Sequence, residues 1–488
     1  MSQPSYAEQN LYINGELRAA ENGRTFENIS PISEEVIGVA ADASMTDAEA
    51  ALAAAREAFD NTDWATNHAL RVKVLTRWID IMDENIEEFK QATVAEVGCT
   101  WMFANGPQVA GPVSMARWPI EHLANYEWEE DRGVYEVMGL KNRRIVRKEA
   151  AGVVAAISPW NFPNQINLAK CLPALCAGCT VVLKAAPDTP WTSTLIGRYA
   201  KEAGFPPGVF NVLTASDPAE IGNFLSTDPR VDVVSFTGST PVGRHVMANA
   251  SATVKRVFLE LGGKSAMIVL DDADLGTALF GTFGVCSHAG QGCSITTRLL
   301  VPKAKLAETE QTVKSYWQGL TYGGEDTSGD LMGPLISAKQ QARVLGMIQM
   351  GLDEGARLVT GGSRPAHIEK GWFVEPTILS DVTNDMRIAQ EEVFGPVLVI
   401  IPYEDEEDAI RIANDSIYGL SGAVFSATDE HALEVAARIR TGTMSINGAT
   451  YLSPDAPFGG YKQSGVGREM GPEGFAEYIE HKTIAVPA

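Results

Sequence analysis

VDVVSFTGSTPVG, residues 231–243, is an apolar, β-branched run that leads through Thr-Gly-Ser-Thr into a helix beginning near Pro241. This pattern predicts a buried strand, then a turn, then a helix. Other runs of the same kind lie at 152–157, 180–184, 209–213 and 265–270. Helical or Gly/Pro-rich segments separate them, which indicates a parallel sheet covered on both faces.

A second series of strand-like runs follows the first. Its members are LLVP (299–302), FVEPTIL (373–379), VLVIIPY (397–403), GAVF (422–425) and TMSIN (443–447). Two α/β units in sequence are the simplest account of both series. Before them, apolar spacings of three and four predict helices over 46–60 and 69–98. Residues 130–147 alternate poorly and predict a hairpin or arm between the helices and the first sheet.

The composition is that of a large globular protein. A chain of 488 residues is too long for one simple core, so we expect at least two domains. The net charge of −23 and the isoelectric point near 4.8 argue against nucleic-acid binding through a basic surface. Neither a signal peptide nor a membrane span is predicted. Six cysteines are too few for a disulfide framework, so we expect reduced thiols in the cytoplasm.

Two motifs suggest sites that the surrounding sequence does not support. Cys171, Cys176 and Cys179 have the spacing of iron–sulfur ligands, but the next cysteine is over a hundred residues away and the neighbours suit a buried helix. LGGKSA (261–266) ends like a phosphate-binding loop, but Phe258 occupies the first glycine position. The histidines are scattered, so no metal site is predicted.

Four other features are ambiguous when each is considered alone. The turn at 235–243 could hold a phosphate at a helix N-terminus or be an ordinary turn. Asn161 in ISPWNFP could donate to an oxyanion or only shape its turn. Glu260 could be a base of raised pKa or a charge at a strand end. Cys293 in HAGQGCSITTRLL (288–300) could be a packing residue, half of a disulfide, a metal ligand or a nucleophile.

Together these segments resemble the aldehyde dehydrogenase superfamily, in its NAD(P)-dependent, non-acylating branch. The resemblance covers nearly the whole chain, and its motifs follow the family's order and spacing. The seven segments that carry it are ISPWNFP (157–163), LKAAPDTP (183–190), FTGSTPVG (236–243), ELGGKS (260–265), GQGC (290–293), EEVFGPV (391–397) and PFGGYKQSGVGREMG (457–471).

The resemblance implies a catalytic role for each of four residues. Cys293 would be the nucleophile that attacks the aldehyde, with the side chain of Asn161 and the Cys293 backbone N–H holding the oxyanion. Glu260 would activate the water that releases the acid, and Lys170 would lie near this base. His288 is the nearest histidine to Cys293 in sequence, but the family gives it no such role.

The resemblance also implies a nicotinamide cofactor. Lys184 would hold the adenosine ribose, and Gly238, Ser239 and Gly243 would lie under the pyrophosphate. The nicotinamide end would meet Glu392 and Phe394, and the same cleft would include Ile157, Pro159, Trp160 and Leu261. Pro187 stands where many NAD-preferring members carry a glutamate, so we expect NAD with NADP as an alternative.

By the same resemblance, the fold is α/β, with two doubly wound parallel-sheet domains and a small β oligomerisation arm. Residues 1–125 and 148–260 would form the NAD(P)-binding domain, 261–469 the catalytic domain, and 126–147 with 470–488 the arm of a homodimer or homotetramer. Phe162, Ile166, Ala169 and Phe458 would line an apolar tunnel for a medium or bulky aldehyde. The rival classes are a non-catalytic structural descendant, disfavoured by the intact catalytic set, and a coenzyme-A-acylating enzyme, disfavoured by Glu260.

Overall fold

The protein is described from a computed structural model that covers residues 4–324 and 327–488. Twenty strands lie within these residues: β1 Leu11–Ile13, β2 Glu16–Arg18, β3 Thr25–Ile29, β4 Val36–Ala41, β5 Glu129–Val137, β6 Leu140–Ala150, β7 Val153–Ile157, β8 Thr180–Lys184, β9 Phe210–Leu213, β10 Val233–Thr237, β11 Arg256–Glu260, β12 Ala266–Val269, β13 Arg298–Pro302, β14 Arg357–Thr360, β15 Thr377–Ser380, β16 Val397–Tyr403, β17 Gly422–Phe425, β18 Ser445–Ile446, β19 Gly465–Val466 and β20 Ile479–Pro487.

Eighteen α-helices lie in the same described residues: α1 Met45–Asn61, α2 His68–Glu84, α3 Ile86–Val97, α4 Trp101–Ala104, α5 Ala110–Met115, α6 Arg117–Ala124, α7 Pro163–Ala177, α8 Pro190–Ala203, α9 Pro218–Thr227, α10 Thr240–Ala250, α11 Leu275–Phe280, α12 Phe283–Cys286, α13 Leu306–Trp317, α14 Ala338–Asp353, α15 Arg387–Gln390, α16 Glu406–Asn414, α17 Asp429–Ala436 and α18 Gly471–Ala476.

The first sheet has the strand order β19-β11-β10-β7-β8-β9-β1-β2. Its central strands, from β11 to β9, are parallel, and the edge pairs β19–β11, β9–β1 and β1–β2 are antiparallel. Alternate residues of β7 face opposite layers. Val154 packs in one core cluster with Leu172 of α7, whereas Val153 packs in another with Ala51 of α1. The sheet is therefore covered by helices on both faces, as its β-branched runs predict.

The second sheet has the order β14-β15-β16-β13-β12-β17-β18. All neighbouring pairs are parallel except β14 with β15. A separate antiparallel sheet, ordered β20-β6-β5, contains the hairpin that the sequence predicts near 130–147. The predicted α/β fold with two mainly parallel sheets and a small β arm is confirmed.

Two local features differ from the simplest sequence interpretation. The helix predicted over 69–98 is two helices, α2 and α3, because Asn85 between them leaves the helical region with φ −111° and ψ 26°. The side chain of Asn85 donates to the carbonyl of Ile81 at 2.8 Å, which ends α2. In addition, strand β19 at 465–466 pairs with β11, so a segment within the range 261–469 belongs to the first sheet.

Strand ends bring the sequence motifs to one edge of the first sheet. The parallel register pairs Thr237 with Glu260 and Phe236 with Ile157. The turns after β7, β10 and β11 therefore leave the sheet side by side. In open α/β sheets, ligands bind at this carboxyl edge.

Candidate active site

Cys293 lies in the loop between α12 and β13, and it is the one cysteine of the six that is not buried. Two glycines allow this loop to pack tightly. Gly290 has φ +72°, and a Cβ there would lie 2.0 Å from the carbonyl oxygen of Gly395. A Cβ on Gly263 would lie 2.5 Å from the carbonyl oxygen of Cys293 itself. The thiol is thus held on a fixed backbone with access to open space.

Asn161 lies in the turn between β7 and α7 and connects that turn to the cysteine loop. Its side-chain Nδ2 donates to the carbonyl of Gln291 at 3.0 Å, and its own carbonyl accepts from Nε2 of Gln108 at 2.8 Å. The residue is only 3% exposed. An amide nitrogen carries two N–H groups, so one hydrogen bond leaves the second donor for a ligand beside Cys293.

Glu260 ends strand β11 with a buried carboxyl group that has no hydrogen-bond partner on either oxygen. A Cβ on Gly459 would lie 2.6 Å from its Oε1, so the absence of a side chain there makes room for the carboxyl. Burial raises the pKa of Glu260 well above its usual value, and the charge of Glu469 raises it further. Lys170 and Arg468 act in the opposite direction.

Lys170 is fully buried on α7 and forms an ion pair with a second carboxylate in the site. Its Nζ lies 2.6 Å from Oε1 of Glu469 and donates to the hydroxyl of Ser235 at 3.0 Å. The resemblance places Lys170 near the base. In the structure, Lys170 forms its ion pair with Glu469, a residue to which the sequence assigns no role. The two are 299 positions apart, and only the place of Glu469 in the last matched motif could have pointed to it.

Although Cys293 is partly exposed, the surrounding protein displaces water from its thiol and so raises its pKa, and the charges of Glu392, Glu260 and Glu469 raise it further. The thiol is therefore protonated at neutral pH in the absence of ligand. A nucleophilic role requires a nearby group that accepts this proton.

An apolar cavity of about 470 Å³ borders Cys293. Its lining includes all four residues assigned by the sequence to a tunnel: Phe162, Ile166, Ala169 and Phe458. We call it the apolar cavity. Asn161, Glu260 and Glu469 also line it.

A second space of about 510 Å³, the polar cleft, also borders Cys293. The lining includes seven of the residues predicted to contact a cofactor: Pro159, Trp160, Gly238, Ser239, Leu261, Glu392 and Phe394. Three predicted contacts lie outside this lining. Ile157 and Lys184 are paired across β7 and β8, and Gly243 lies under Leu261, where a Cβ would come within 2.5 Å of a methyl group.

The residues of the polar cleft fit a dinucleotide. Helix α10 begins here without a side-chain cap, so its first backbone N–H groups are free for a phosphate. The hydroxyl of Thr237 is buried without a partner. Oε1 of Glu392 accepts from the Gly263 N–H at 3.1 Å, and burial raises the pKa of Glu392 to about 7. Burial lowers the pKa of Lys184 to about 8.

His288 lies beside this site but does not face it. Its ring is buried against Phe103 and Phe162, and it lines neither the apolar cavity nor the polar cleft. Burial lowers its pKa to about 4. The residue therefore packs behind Asn161 and Phe162 and is not placed to act as a base.

The three cysteines that resemble an iron–sulfur motif are buried thiols in and just after α7. Across 4–324 and 327–488, no group of three or more His, Cys, Asp or Glu side chains is placed to hold a metal ion. None of the helices in those ranges is long and apolar enough to cross a membrane.

Comparison with known proteins identifies the family. The model of the aldehyde dehydrogenase family matches residues 18–484. The chain belongs to the aldehyde dehydrogenase family. It is 42% identical over 479 residues to a 3-succinoylsemialdehyde-pyridine dehydrogenase of a Pseudomonas species, covering 97% of this chain and 98% of that protein. The predicted activity class, an oxidoreductase acting on aldehydes, is confirmed.

Solved structures of aldehyde dehydrogenases share the fold. One is a cysteine-to-alanine variant of aldehyde dehydrogenase C from Pseudomonas syringae with NAD+ and octanal, at TM-score 0.93 and 38% identity, covering 99% of this chain and 98% of that chain. Another is an aldehyde dehydrogenase of Mycobacterium tuberculosis with NAD+, at TM-score 0.93 and 40% identity, covering 98% of both chains.

Proposed function

We propose that this aldehyde dehydrogenase oxidises an apolar aldehyde to the carboxylic acid with NAD+ as hydride acceptor and water as the final nucleophile. One observation carries the proposal. Asn161, Thr237, Glu260 and Cys293 line both the apolar cavity and the polar cleft, so an aldehyde in one and a dinucleotide in the other meet at these residues.

The first step takes place at the Cys293 sulfur. The thiol, protonated at rest, loses its proton to the ionised form of Glu260, and the thiolate attacks the aldehyde carbon. The resulting thiohemiacetal oxyanion accepts hydrogen bonds from the free N–H of Asn161 Nδ2 and from the Cys293 backbone N–H. Donors fixed before reaction stabilise such a charge without reorganisation.

The polar cleft supports the assignment of the cofactor. NAD+ bound there supplies the acceptor for the hydride that leaves the thiohemiacetal carbon. The first turn of α10 would hold its pyrophosphate, Lys184 its adenosine ribose, and Glu392 its nicotinamide ribose. The NAD+ bound in the two solved relatives supports NAD over NADP. NADP remains the alternative because Pro187 offers no carboxylate to repel a 2′-phosphate.

Glu260 then determines whether the thioacyl enzyme is hydrolysed or transfers its acyl group to coenzyme A. A buried carboxylate without hydrogen-bond partners is a strong base once ionised, because no hydrogen bond stabilises its charge. It takes a proton from a water that attacks the thioester and releases the acid. Lys170 and Glu469 act on this base through their charges. Hydrolysis is therefore favoured over transfer to coenzyme A, and the intact set disfavours a structural, non-catalytic protein.

The surroundings support three further assignments. The β5–β6 hairpin exposes apolar side chains suited to an arm of a homodimer or homotetramer: Val134, Tyr135, Val137, Met138 and Leu140. Residues 1–125 and 148–260 form the NAD(P)-binding domain, joined by β19, and the rest of 261–469 forms the catalytic domain. The six free thiols fit a reducing cytoplasm.

The test measures NADH and acid formation from hexanal with NAD+ or NADP+, each with and without coenzyme A. We expect free hexanoic acid with NAD+ and no dependence on coenzyme A. Glu260→Gln should release at most about one NADH per active site, in a phase slower than in the wild type because the thiol has lost its proton acceptor, and then turn over very slowly, because an amide cannot take the proton of water. Formation of hexanoyl-coenzyme A, or full steady turnover in this variant, would overturn the hydrolytic mechanism.

A further inference from the structure

A small space, which we call the side pocket, lies next to the apolar cavity. Its volume is about 40 Å³. Leu168 and Leu172 of α7 line it, together with Pro112 of α5 and Ala116 between α5 and α6. Of the described residues that line the side pocket, Gln165 alone is polar and none is charged. The side pocket therefore suits an alkyl group.

The apolar cavity and the side pocket lie along one face of α7. Gln165 and Ala169 line both spaces, and Leu172 lines the side pocket. Residues three or four positions apart point to the same side of a helix, so this face continues from one space into the other. From Ala169 to Leu172 the helix rises by only about 4.5 Å. An alkyl chain that follows α7 out of the cavity is thus directed toward the side pocket.

Met470 is the third residue that lines both spaces. It lies just before α18, far from α7 in sequence, and its sulfur is 4.0 Å from Nε2 of Gln165. Its side chain therefore reaches the same face of α7 at the place where the two spaces adjoin.

The backbone holds Met470 in a conformation that favours glycine, with φ +61° and ψ 171°. The neighbouring residues fix it there. The N–H and carbonyl of Glu469 pair with Phe458 at 2.8 and 2.7 Å, and the N–H of Gly471 donates to the carbonyl of Pro454 at 3.1 Å. A large side chain at a position that favours glycine points to a function of that side chain.

We propose that Met470 sets the length of the alkyl chain that the enzyme accepts, because its side chain separates the apolar cavity from the side pocket. The assignment rests on the proposed function and names its substrate class, alkyl aldehydes whose chain ends at Met470. The aldehyde carbon lies at Cys293, the chain follows α7 past Ile166, and its last carbon meets the Met470 thioether. A longer chain needs the volume that the thioether occupies.

The experiment measures kcat/KM for unbranched aldehydes from butanal to dodecanal. In the wild type, kcat/KM should rise with chain length to a maximum and then fall. Met470→Ala should move this maximum to chains about two to four carbons longer, because alkyl carbons can take the volume of Cγ, Sδ and Cε and of the side pocket. For the first aldehyde beyond the wild-type maximum, kcat/KM should rise about tenfold or more. Met470→Gly should act in the same way, since glycine adopts this φ without strain.

Met267→Ala is the matched control. Met267 lines the apolar cavity but not the side pocket, so the same atoms are removed without joining the two spaces. The maximum should move by about one carbon or less. An equal shift in Met267→Ala and Met470→Ala, or no shift in Met470→Ala, would overturn the role of Met470.

Ala116→Leu fills the side pocket from outside the apolar cavity, whose lining does not include Ala116. Added to Met470→Ala, it should return the maximum to that of the wild type. Leu172→Phe fills the same pocket from α7 and gives the same test if Ala116→Leu does not fold.

Two results with Ala116→Leu would contradict the proposal. A longer optimum that persists in the double variant would show that the added carbons lie elsewhere. Loss of long-chain activity in Ala116→Leu alone would show that the chain already enters the side pocket in the wild type. A wild type that converts none of these aldehydes to acids would instead refute the proposed function.

Discussion

The apolar cavity and the polar cleft meet at Cys293, but their lining residues differ in chemical type. The cavity is walled by side chains such as Phe162, Met267 and Phe425, whereas the cleft presents the uncapped N-terminus of α10 and the charged residues Arg343 and Glu392. Only the residues shared by both can touch two ligands at once. Substitutions of residues that line both spaces should therefore reduce turnover. Substitutions of residues that line only one should change the preference for the aldehyde or for the cofactor.

Cys293→Ala is the most severe test of this distinction. The nucleophile is shared, so we expect the dehydrogenase rate to fall by on the order of 10⁴-fold or more. The cleft should keep its shape, because alanine retains the backbone and Cβ of Cys293 and the other residues that line the cleft are unchanged. NAD+ binding measured by calorimetry should therefore be unchanged. Turnover close to that of the wild type would remove Cys293 from the mechanism.

The pair Lys170 and Glu469 should act on the shared base without touching substrate. Glu469 raises the pKa of Glu260 and Lys170 lowers it. Glu469→Gln should therefore shift the acid limb of the kcat–pH profile to lower pH, because Glu260 ionises earlier. Lys170→Met should shift it to higher pH. The measurement is the steady-state rate as a function of pH in each variant.

The free energy of unfolding of the same variants serves as the control, because it separates a structural role of the Lys170–Glu469 pair from its effect on Glu260. Removing one partner of a buried ion pair costs about 3–5 kcal/mol, since the other charge remains buried. Urea unfolding should show this loss in each single variant and a smaller loss in the double variant Lys170→Met/Glu469→Gln. If both single variants lose stability but keep the pH profile of the wild type, the pair is structural only.

Pro187→Glu tests the cleft side alone. The new carboxylate would accept from the 2′-hydroxyl of NAD+ and repel the 2′-phosphate of NADP+. The ratio of kcat/KM for NAD+ over NADP+ should rise about tenfold, or about 1.4 kcal/mol, with the aldehyde preference unchanged. An unchanged ratio would indicate another group. Asp188, whose pKa is raised by burial against the opposing charges of Lys184 and Lys339, would be the next residue to replace.

Cys176→Ser should have the smallest effect on activity. Cys176 is fully buried in α7 and lines neither space, so turnover should equal that of the wild type. The substitution should lower the free energy of unfolding by about 1–3 kcal/mol, because it buries a hydroxyl group. Urea unfolding measures this loss. A large fall in kcat with unchanged stability would contradict a packing role.

The sequence predicts the parts of this molecule that depend on local pattern. β-branched runs such as 180–184 and 397–403 coincide with strands because buried parallel strands need apolar residues on both faces. The family motifs lead to Cys293, Asn161 and Glu260. The motifs do not reveal contacts between residues far apart in the sequence. Examples are the ion pair of Lys170 with Glu469 and the hydrogen bond from Gln108 to the Asn161 carbonyl. No local periodicity carries such information.

Strand β19 has a consequence for how the molecule is made. The strand that carries Glu260 is bordered by residues 465–466, and the Leu261 N–H donates to the carbonyl of Ser464 at 2.8 Å. During synthesis the first sheet can gain most of its strands early, but the edge beside the base stays open until almost the whole chain has left the ribosome. Contacts between residues so far apart form late and slowly. The catalytic centre is thus among the last parts of the protein to assemble, and a nascent chain interrupted before residue 464 would contain the nucleophile without a finished site.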